Sequence, residues 1–406
     1  MIRRALRRGL VPLVFFILGG IAALGALAAS LYVLSLVITD VPYITLQSQQ
    51  YGTQVGGEFS RVREAALPQG ARVQVVAEGL EQPVAMAFLP DGGMLITERS
   101  GRVRYVHEGF LEPAPVLVIE ETGAERSGEL GLLGIAVRAP EPGVVQVYLY
   151  HTVERENRVV GAVLERYLWS QGRLEADAVV STVDVPHDLR AHIGGTVRVG
   201  PDGMLYVSVG DTTGISPKSI LAQDLSTPFG VILRLAPDGA VPGDNPFAGD
   251  GSPDPRVFAY GFRNPFGLTF DSSTGAMWAT DSGPAQGDEI DRVVAGANYG
   301  WPVALGWAHD MPFQLPTVVF KEPTTPTGIV VYRGAMFPEW EGDLLFCSFN
   351  QPFLRYIEAD ELTSETPADV IVVPEASGCV TGIELGADGS VYLLDYFEGR
   401  LLRVVR

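Results

Sequence analysis

The chain opens with one long apolar run, from about Leu10 to Ile38, that carries no charge. Arg3, Arg4, Arg7 and Arg8 precede it and Asp40 follows it. A stretch of this length suffices to cross a bilayer as a helix, and the flanking arginines hold its N-terminal end in the cytoplasm. The segment Ala26-Leu27-Ala28 resembles a small-residue cleavage site, so a cleaved signal peptide is the rival reading. The apolar run continues well past that point, through Leu31, Val33 and Leu36, which favours an uncleaved signal anchor. The expectation is an anchor over 1–40, a polar linker over 41–70, and a domain over 71–406 on the extracytoplasmic side of a membrane.

From Val73 onward the pattern changes to short apolar strands punctuated by Gly and Asp turns. A small residue opens each unit, an apolar strand follows, and a Gly/Asp turn leads into further strands. Copies start at Pro83, Gly131, Gly194, Pro265, Pro326 and Val380. Pro-Asp-Gly or Ala-Asp-Gly turns between β-rich runs are hairpin signals. A repeat of this size in an all-β chain points to a propeller with one four-stranded blade per copy, so six blades are expected. The last copy shows three clear strands before the chain ends at Arg406, and the strand Arg72–Val76 is expected to supply its outermost strand and close the ring. A pair of β-sandwiches leaves the likeness of the repeats unexplained.

Composition narrows the function. The net charge of −19 excludes nucleic acid as a partner, because such a partner needs a basic face. Gly at 47 and Pro at 29 suit many short strands joined by turns. Two cysteines, Cys347 and Cys379, exclude a disulfide-rich scaffold and a cysteine zinc cluster. One bridge and two buried thiols both fit an exported pair. The repeat alignment places the two on neighbouring blades near the channel, and a bridge is the expectation.

Candidate chemistry gathers where blade loops converge. His192 precedes the third inner strand, and Asp211 ends the next strand, which returns to the same end of the blade. A carboxylate so placed orients an imidazole as a general base. Arg263 and Asn264 precede the fourth inner strand at the same channel mouth. The segment 281–291, with Asp288, Glu289 and Asp291, has the oxygen density of a calcium loop without EF-hand spacing. No phosphate-binding glycine loop, HExxH element or Gly-x-Ser-x-Gly elbow is present.

The segments GLEQPVAMAFLPDG, LGLLGIAV, HIGGTVRVGPDGMLYVSVGD, AQDLSTPFGVILRL, VPGDNPF, GFRNPFGL, SGPAQGDEI and NYGWP occur in this order. Together they resemble the soluble aldose (glucose/sorbosone) dehydrogenases, six-bladed propellers that use pyrroloquinoline quinone and calcium. The resemblance implies that His192 is the catalytic base for a sugar hydroxyl, supported by Asp211, with hydride passing to the quinone. It implies that Arg263 and Asn264 contact the quinone side of the cofactor. It also implies that the Gly283 and Pro284 carbonyls hold calcium, with Asp288 and Glu289 as the acidic pair after them.

The other half of the cofactor site departs from the family. Glu129 stands for a Gln, Asn350 for a Lys, and Cys379-Val380-Thr381-Gly382 for an Arg-x-Arg-Asp element; a Trp-Pro-Thr-like element survives only as Pro323-Thr324. The cofactor carries three carboxylates, and each lost charge-assisted hydrogen bond removes roughly 1.5–3 kcal/mol. Three losses weaken binding by about three to six powers of ten, unless another cation such as Arg333 or Arg355 stands in. Three readings follow. One is a membrane-anchored quinoprotein oxidising aldoses or polyols and passing electrons to a membrane or periplasmic acceptor. Another is a non-catalytic propeller acting as a scaffold or ligand-binding subunit of a membrane complex. The third is an oxidoreductase with a less anionic cofactor.

Overall fold

The computed structural model describes residues 54–406 apart from 188, 213–216, 250, 252 and 285. The apolar N-terminal run and its reading as an anchor lie outside the described residues. Among the described residues no helix is long and apolar enough to cross a membrane.

Six antiparallel sheets form the blades of a propeller. Their inner strands are Pro83–Phe88, Leu132–Glu141, Val197–Val199, Pro265–Phe270, Pro326–Val331 and Ile383–Leu385. Each inner strand leads through a turn into a second strand that lies between neighbouring blades. Met94–Glu98, Leu205–Val209, Met277–Asp281 and Leu344–Ser348 are buried at every position, which explains their nearly continuous apolar sequence. The turns repeat one chemistry. Asp91, Asp202 and Asp388 each accept a backbone N–H two residues on, at 3.0, 3.1 and 3.1 Å. The following Gly92, Gly203 and Gly389 take positive φ, as an Asp-Gly turn requires.

Ring closure follows the sequence expectation. Arg72–Glu78 pairs antiparallel with Arg400–Val405 as the outermost strand of the sixth blade. The strand that leads into the first blade is thereby tied to the last strand of the sixth, and that blade edge is covered. Part of the expected linker is also built into the propeller. Gln54–Val55 pairs with Ala304–Leu305, and Val62–Glu64 adds a parallel fifth strand to the fifth blade at Val370–Val372.

Around the axis the blades are joined by threonine hydroxyls. Thr196 donates to the Phe266 carbonyl, Thr280 to Thr327 at 2.9 Å, Thr327 to Val380 at 2.6 Å, and Thr381 to Pro83 at 2.8 Å. These bonds link the third blade through to the first and satisfy carbonyls that face no ladder partner. Glycine permits the close approach. A Cβ on Gly267 would stand 2.1 Å from the Thr327 carbonyl oxygen.

Cys347 and Cys379 form a disulfide with Cα atoms 4.8 Å apart, joining the fifth blade to the approach of the sixth. Thiol titration of unfolded, non-reduced protein is expected to find no free thiol; two thiols would remove this tie.

Asp343 contributes to a pH dependence of stability. Burial pushes the Asp343 carboxyl up to about 6, with Glu358 and Asp360 adding to the rise against one hydrogen bond from the Ala359 N–H. A raised carboxyl pKa stabilises the fold below the unfolded value and loses that contribution as pH rises through the folded value. The change from 3.8 to about 6 is worth about 3 kcal/mol. Asp343→Asn is expected to flatten the fall in melting temperature between about pH 4 and 7. An unchanged pH profile in that variant would assign the dependence elsewhere.

Candidate active site

A cavity of about 370 Å³ opens at one end of the axis. Every blade contributes to its wall: Arg99, Glu129, His192, Arg263, Phe349 and Tyr396 come from the first, second, third, fourth, fifth and sixth in turn. His192 and the Gly283 turn line the same cavity, as the sequence reading requires.

His192 is held from several sides. Its Nδ1 lies 2.7 Å from Asp211 Oδ1, and the other Asp211 oxygen accepts the Trp301 indole N–H at 2.9 Å. Asp211 is fully buried and His192 is 6 % exposed. With Nδ1 turned to the carboxylate, Nε2 is the ring nitrogen left without a partner among the described residues. The His192 backbone has φ 55°, a conformation that side-chain-bearing residues rarely adopt. It is fixed by the Glu129 carboxylate accepting the His192 N–H at 2.7 Å and by the Thr212 N–H donating to the His192 carbonyl at 2.9 Å. Such strain persists where the surroundings over-determine it.

Arg263 and Asn264 sit beside this dyad. Both of their backbone N–H groups donate to Asp281, at 2.9 and 2.6 Å. The Arg263 Nη1 donates to the Ser282 and Gly283 carbonyls at 2.6 and 2.8 Å, and the guanidinium lies 5.6 Å from the centre of the Trp301 ring. Asn264 Oδ1 accepts the Gly194 N–H at 3.0 Å. NYGWP thus packs its loop, through Tyr299 stacked on Phe262, and also supplies the indole that holds Asp211.

The expected calcium set does not gather as one shell. The Gly283 carbonyl already faces the Arg263 guanidinium. Asp288 accepts the Gly283, Thr324 and Thr325 N–H groups at 2.8, 2.7 and 2.6 Å, so both its oxygens brace the turn. Pro284 is buried beside Gly283. Glu289 belongs to a different group. Its carboxylate lies with those of Asp281 and Asp291, with ligand atoms all within 4.8 Å of one another. Neither Asp291 oxygen has a donor. Burial pushes the Asp281 carboxyl up to about 7, and burial with mutual repulsion raises Glu289 and Asp291 well above their ordinary range. Three buried carboxylates, one of them unpartnered, form an oxygen donor set that suits a divalent cation such as calcium. Asp281 connects this set to the cavity through the Arg263 and Asn264 backbone.

Two other expected contacts are displaced by one residue. Thr324 is buried with its hydroxyl on the Glu322 carbonyl, and Thr325 lines the cavity instead. Asn350 is exposed and donates to the Thr325 hydroxyl at 2.8 Å, while Phe349 lines the cavity. Neither suggested replacement cation reaches the site. Arg333 pairs with Asp271 and Glu341 at 2.9 and 3.0 Å, and Arg355 is buried on the Gln351 and Phe353 carbonyls. Arg99, which sequence reasoning missed, does line the cavity, but its Nη1 donates to the Ser127 carbonyl at 2.9 Å and its Nε to Gln82 at 2.9 Å.

Pyrroloquinoline quinone, the cofactor implied by the resemblance, fits this wall only in part. The residues for its quinone end are present and adjacent. The carboxylate end would meet Glu129, threonines and aromatic rings, with the two arginines engaged by backbone carbonyls. The described residues hold no clamp for three carboxylates.

Known proteins match this architecture over most of its length. The family model for glucose / sorbosone dehydrogenase matches residues 80–403. The aldose sugar dehydrogenase of Escherichia coli is 27% identical over 364 residues, covering 84% of this chain and 94% of that protein. A Thermus thermophilus structure described as a putative oxidoreductase (glucose dehydrogenase) superposes with TM-score 0.71 at 33% identity, covering 83% of this chain and 100% of that one. The PQQ-bound aldose sugar dehydrogenase of Streptomyces coelicolor superposes with TM-score 0.68 at 26% identity, covering 84% and 99%. Its six blades, its axial cavity and this match make the chain a member of the glucose/sorbosone dehydrogenase family.

Proposed function

We propose that this protein oxidises a CH–OH group of an aldose or polyol in the axial cavity. The observation that carries the reading is the His192–Asp211 pair, with Nδ1 on a fully buried carboxylate and Nε2 left for the cavity. His192 Nε2 takes the hydroxyl proton of the substrate. Asp211 keeps the ring oriented and stabilises the imidazolium that forms. Arg263 and Asn264 set donors beside the reacting carbon, where oxygen gains negative charge. Pyrroloquinoline quinone would supply a hydride acceptor if bound, with its quinone end toward these two residues. Asp281, Glu289 and Asp291 would hold calcium behind them.

The apolar N-terminal segment anchors the chain, and the propeller of residues 71–406 works on the extracytoplasmic side against a membrane or periplasmic electron acceptor. Full-length protein is expected in the membrane fraction and a chain starting at residue 54 in the soluble fraction. Both forms in the soluble fraction would remove the anchor.

The test of activity is dye-linked turnover by purified protein across a panel of aldoses and polyols. Substrate-dependent dye reduction is expected. The absence of a carboxylate clamp among the described residues favours a second reading, a non-catalytic ligand-binding propeller, and silence of the whole panel would select it.

A further inference from the structure

We propose that the cavity takes an uncharged quinone as electron acceptor, its ring lying against Phe349 and Tyr396. The proposal rests on the sugar-oxidation reading for its substrate, and on the cavity wall for everything else.

The wall has two unlike halves. On the fifth and sixth blades, Phe349 and Tyr396 line the cavity with ring centroids 5.4 Å apart. Phe397 backs both, 5.1 and 5.5 Å from them, and the three rings form one aromatic group at the rim. Planar π-systems pack favourably on such a surface. The neighbouring fourth blade carries groups that donate hydrogen bonds. Asn264 uses its oxygen on the Gly194 N–H, so its amide N–H groups have no partner among the described residues. Arg263 directs only Nη1 at protein acceptors, which leaves its Nη2 without a partner among the described residues. The wall therefore offers donors to carbonyl oxygens beside a cluster of inclined aromatic rings, any one of which a planar ligand can pack against.

Charge selects among flat carbonyl compounds. Glu129 is a carboxylate in the cavity wall, committed to the His192 N–H. Arg99 and Arg263 are the lining cations, and both are engaged by backbone carbonyls. Against a ligand with three carboxylates the lining sets two guanidiniums, each already holding backbone carbonyls, and adds the negative Glu129. A neutral quinone meets the donors and the rings and brings no charge.

The reaction balances. The carbinol C–H bond breaks and its hydride goes to the quinone, while the O–H proton goes to His192 Nε2 and from there to the reduced quinone oxygen. The substrate loses two electrons and becomes a carbonyl compound, and the quinone gains them and becomes a hydroquinone.

The test is a binding titration that needs no turnover. Tryptophan fluorescence of the full chain is followed with a tail-less dimethoxy-methyl-benzoquinone, and separately with pyrroloquinoline quinone with and without calcium. Saturable binding of the benzoquinone is expected, tighter than that of pyrroloquinoline quinone under either condition. Phe349→Ala and Tyr396→Leu are each expected to weaken it by about tenfold. Tyr396→Phe keeps the ring and is expected to stay within about twofold, which separates stacking from misfolding. Tighter binding of pyrroloquinoline quinone, no saturation by the benzoquinone, or unchanged affinity in both ring-removing variants would each overturn the proposal. A quinone that binds in this pattern but supports no sugar turnover counts against the sugar reading alone.

Discussion

Replacing His192 with Ala is expected to lower turnover by about a thousandfold while the fold is kept, the usual range for loss of a positioned general base. Nothing else among the described cavity residues can take over. Glu129 accepts the His192 N–H, and Asp211 is fully buried behind the ring. The loss should fall on kcat, since removal of the imidazole leaves the rest of the wall intact. Asp211→Asn is the companion variant. It keeps the shape but permits the amide to donate to Nδ1, which favours the wrong tautomer and is expected to cost roughly a hundredfold or more. A His192→Ala enzyme that turns over as fast as the parent would show that the pair is a structural hydrogen bond. A variant that unfolds is recognised by circular dichroism and is replaced by His192→Gln, which preserves volume and a polar tip without the basicity.

Calcium is expected to raise the melting temperature of chelator-treated protein by about 5 °C at a concentration near a hundred times its dissociation constant. The linkage gain there is about 2.7 kcal/mol, at roughly 2 °C per kcal/mol for a domain of this size. The expectation comes from Asp281, Glu289 and Asp291, buried carboxylates grouped within 4.8 Å in a region where Asp291 finds no donor. Bringing such groups together without a cation is unfavourable, because the ionised forms lose water and repel one another. A divalent ion reverses both penalties. Asp291→Asn is expected to raise the chelated protein toward the calcium-loaded value and to make it insensitive to calcium. Equal calcium responses in parent and variant would place any bound ion elsewhere. Asp281 also accepts the Arg263 and Asn264 N–H groups, so calcium removal is expected to lower catalytic rate as well as stability.

The propeller was legible because its signals are local and repeated. The Asp-Gly turns after Pro90, Pro201 and Ala387 declare hairpins by their own hydrogen bonds. The unpaired last blade called for a strand near Arg72, and Arg72–Glu78 supplies it. The His192–Asp211 pair was legible too, since two successive antiparallel strands must return to the same end of a blade. The cavity wall was harder. Thr324 and Asn350 were read one residue away from Thr325 and Phe349, which line it. Both pairs lie outside the strands, with Thr325 at φ 53°, so strand alternation does not say which neighbour turns inward. Asp288 was misplaced for another reason. Acidic density suggests a metal loop, but only folded coordinates show that three backbone N–H groups reach its oxygens first. Arg99 carried no local signal that set it apart from other strand-end residues, and Asp281, although it opens the acidic segment 281–291, was not singled out within it.

The most direct measurement of the central claim is the primary isotope effect on dye-linked oxidation of an aldose deuterated at the anomeric carbon. If the axial cavity removes hydride and proton from a CH–OH group, the deuterated sugar is expected to react severalfold more slowly, and His192→Ala to lower both rates about a thousandfold. Equal rates for the two sugars at limiting chemistry, or reduction at the parent rate without His192, would contradict the account.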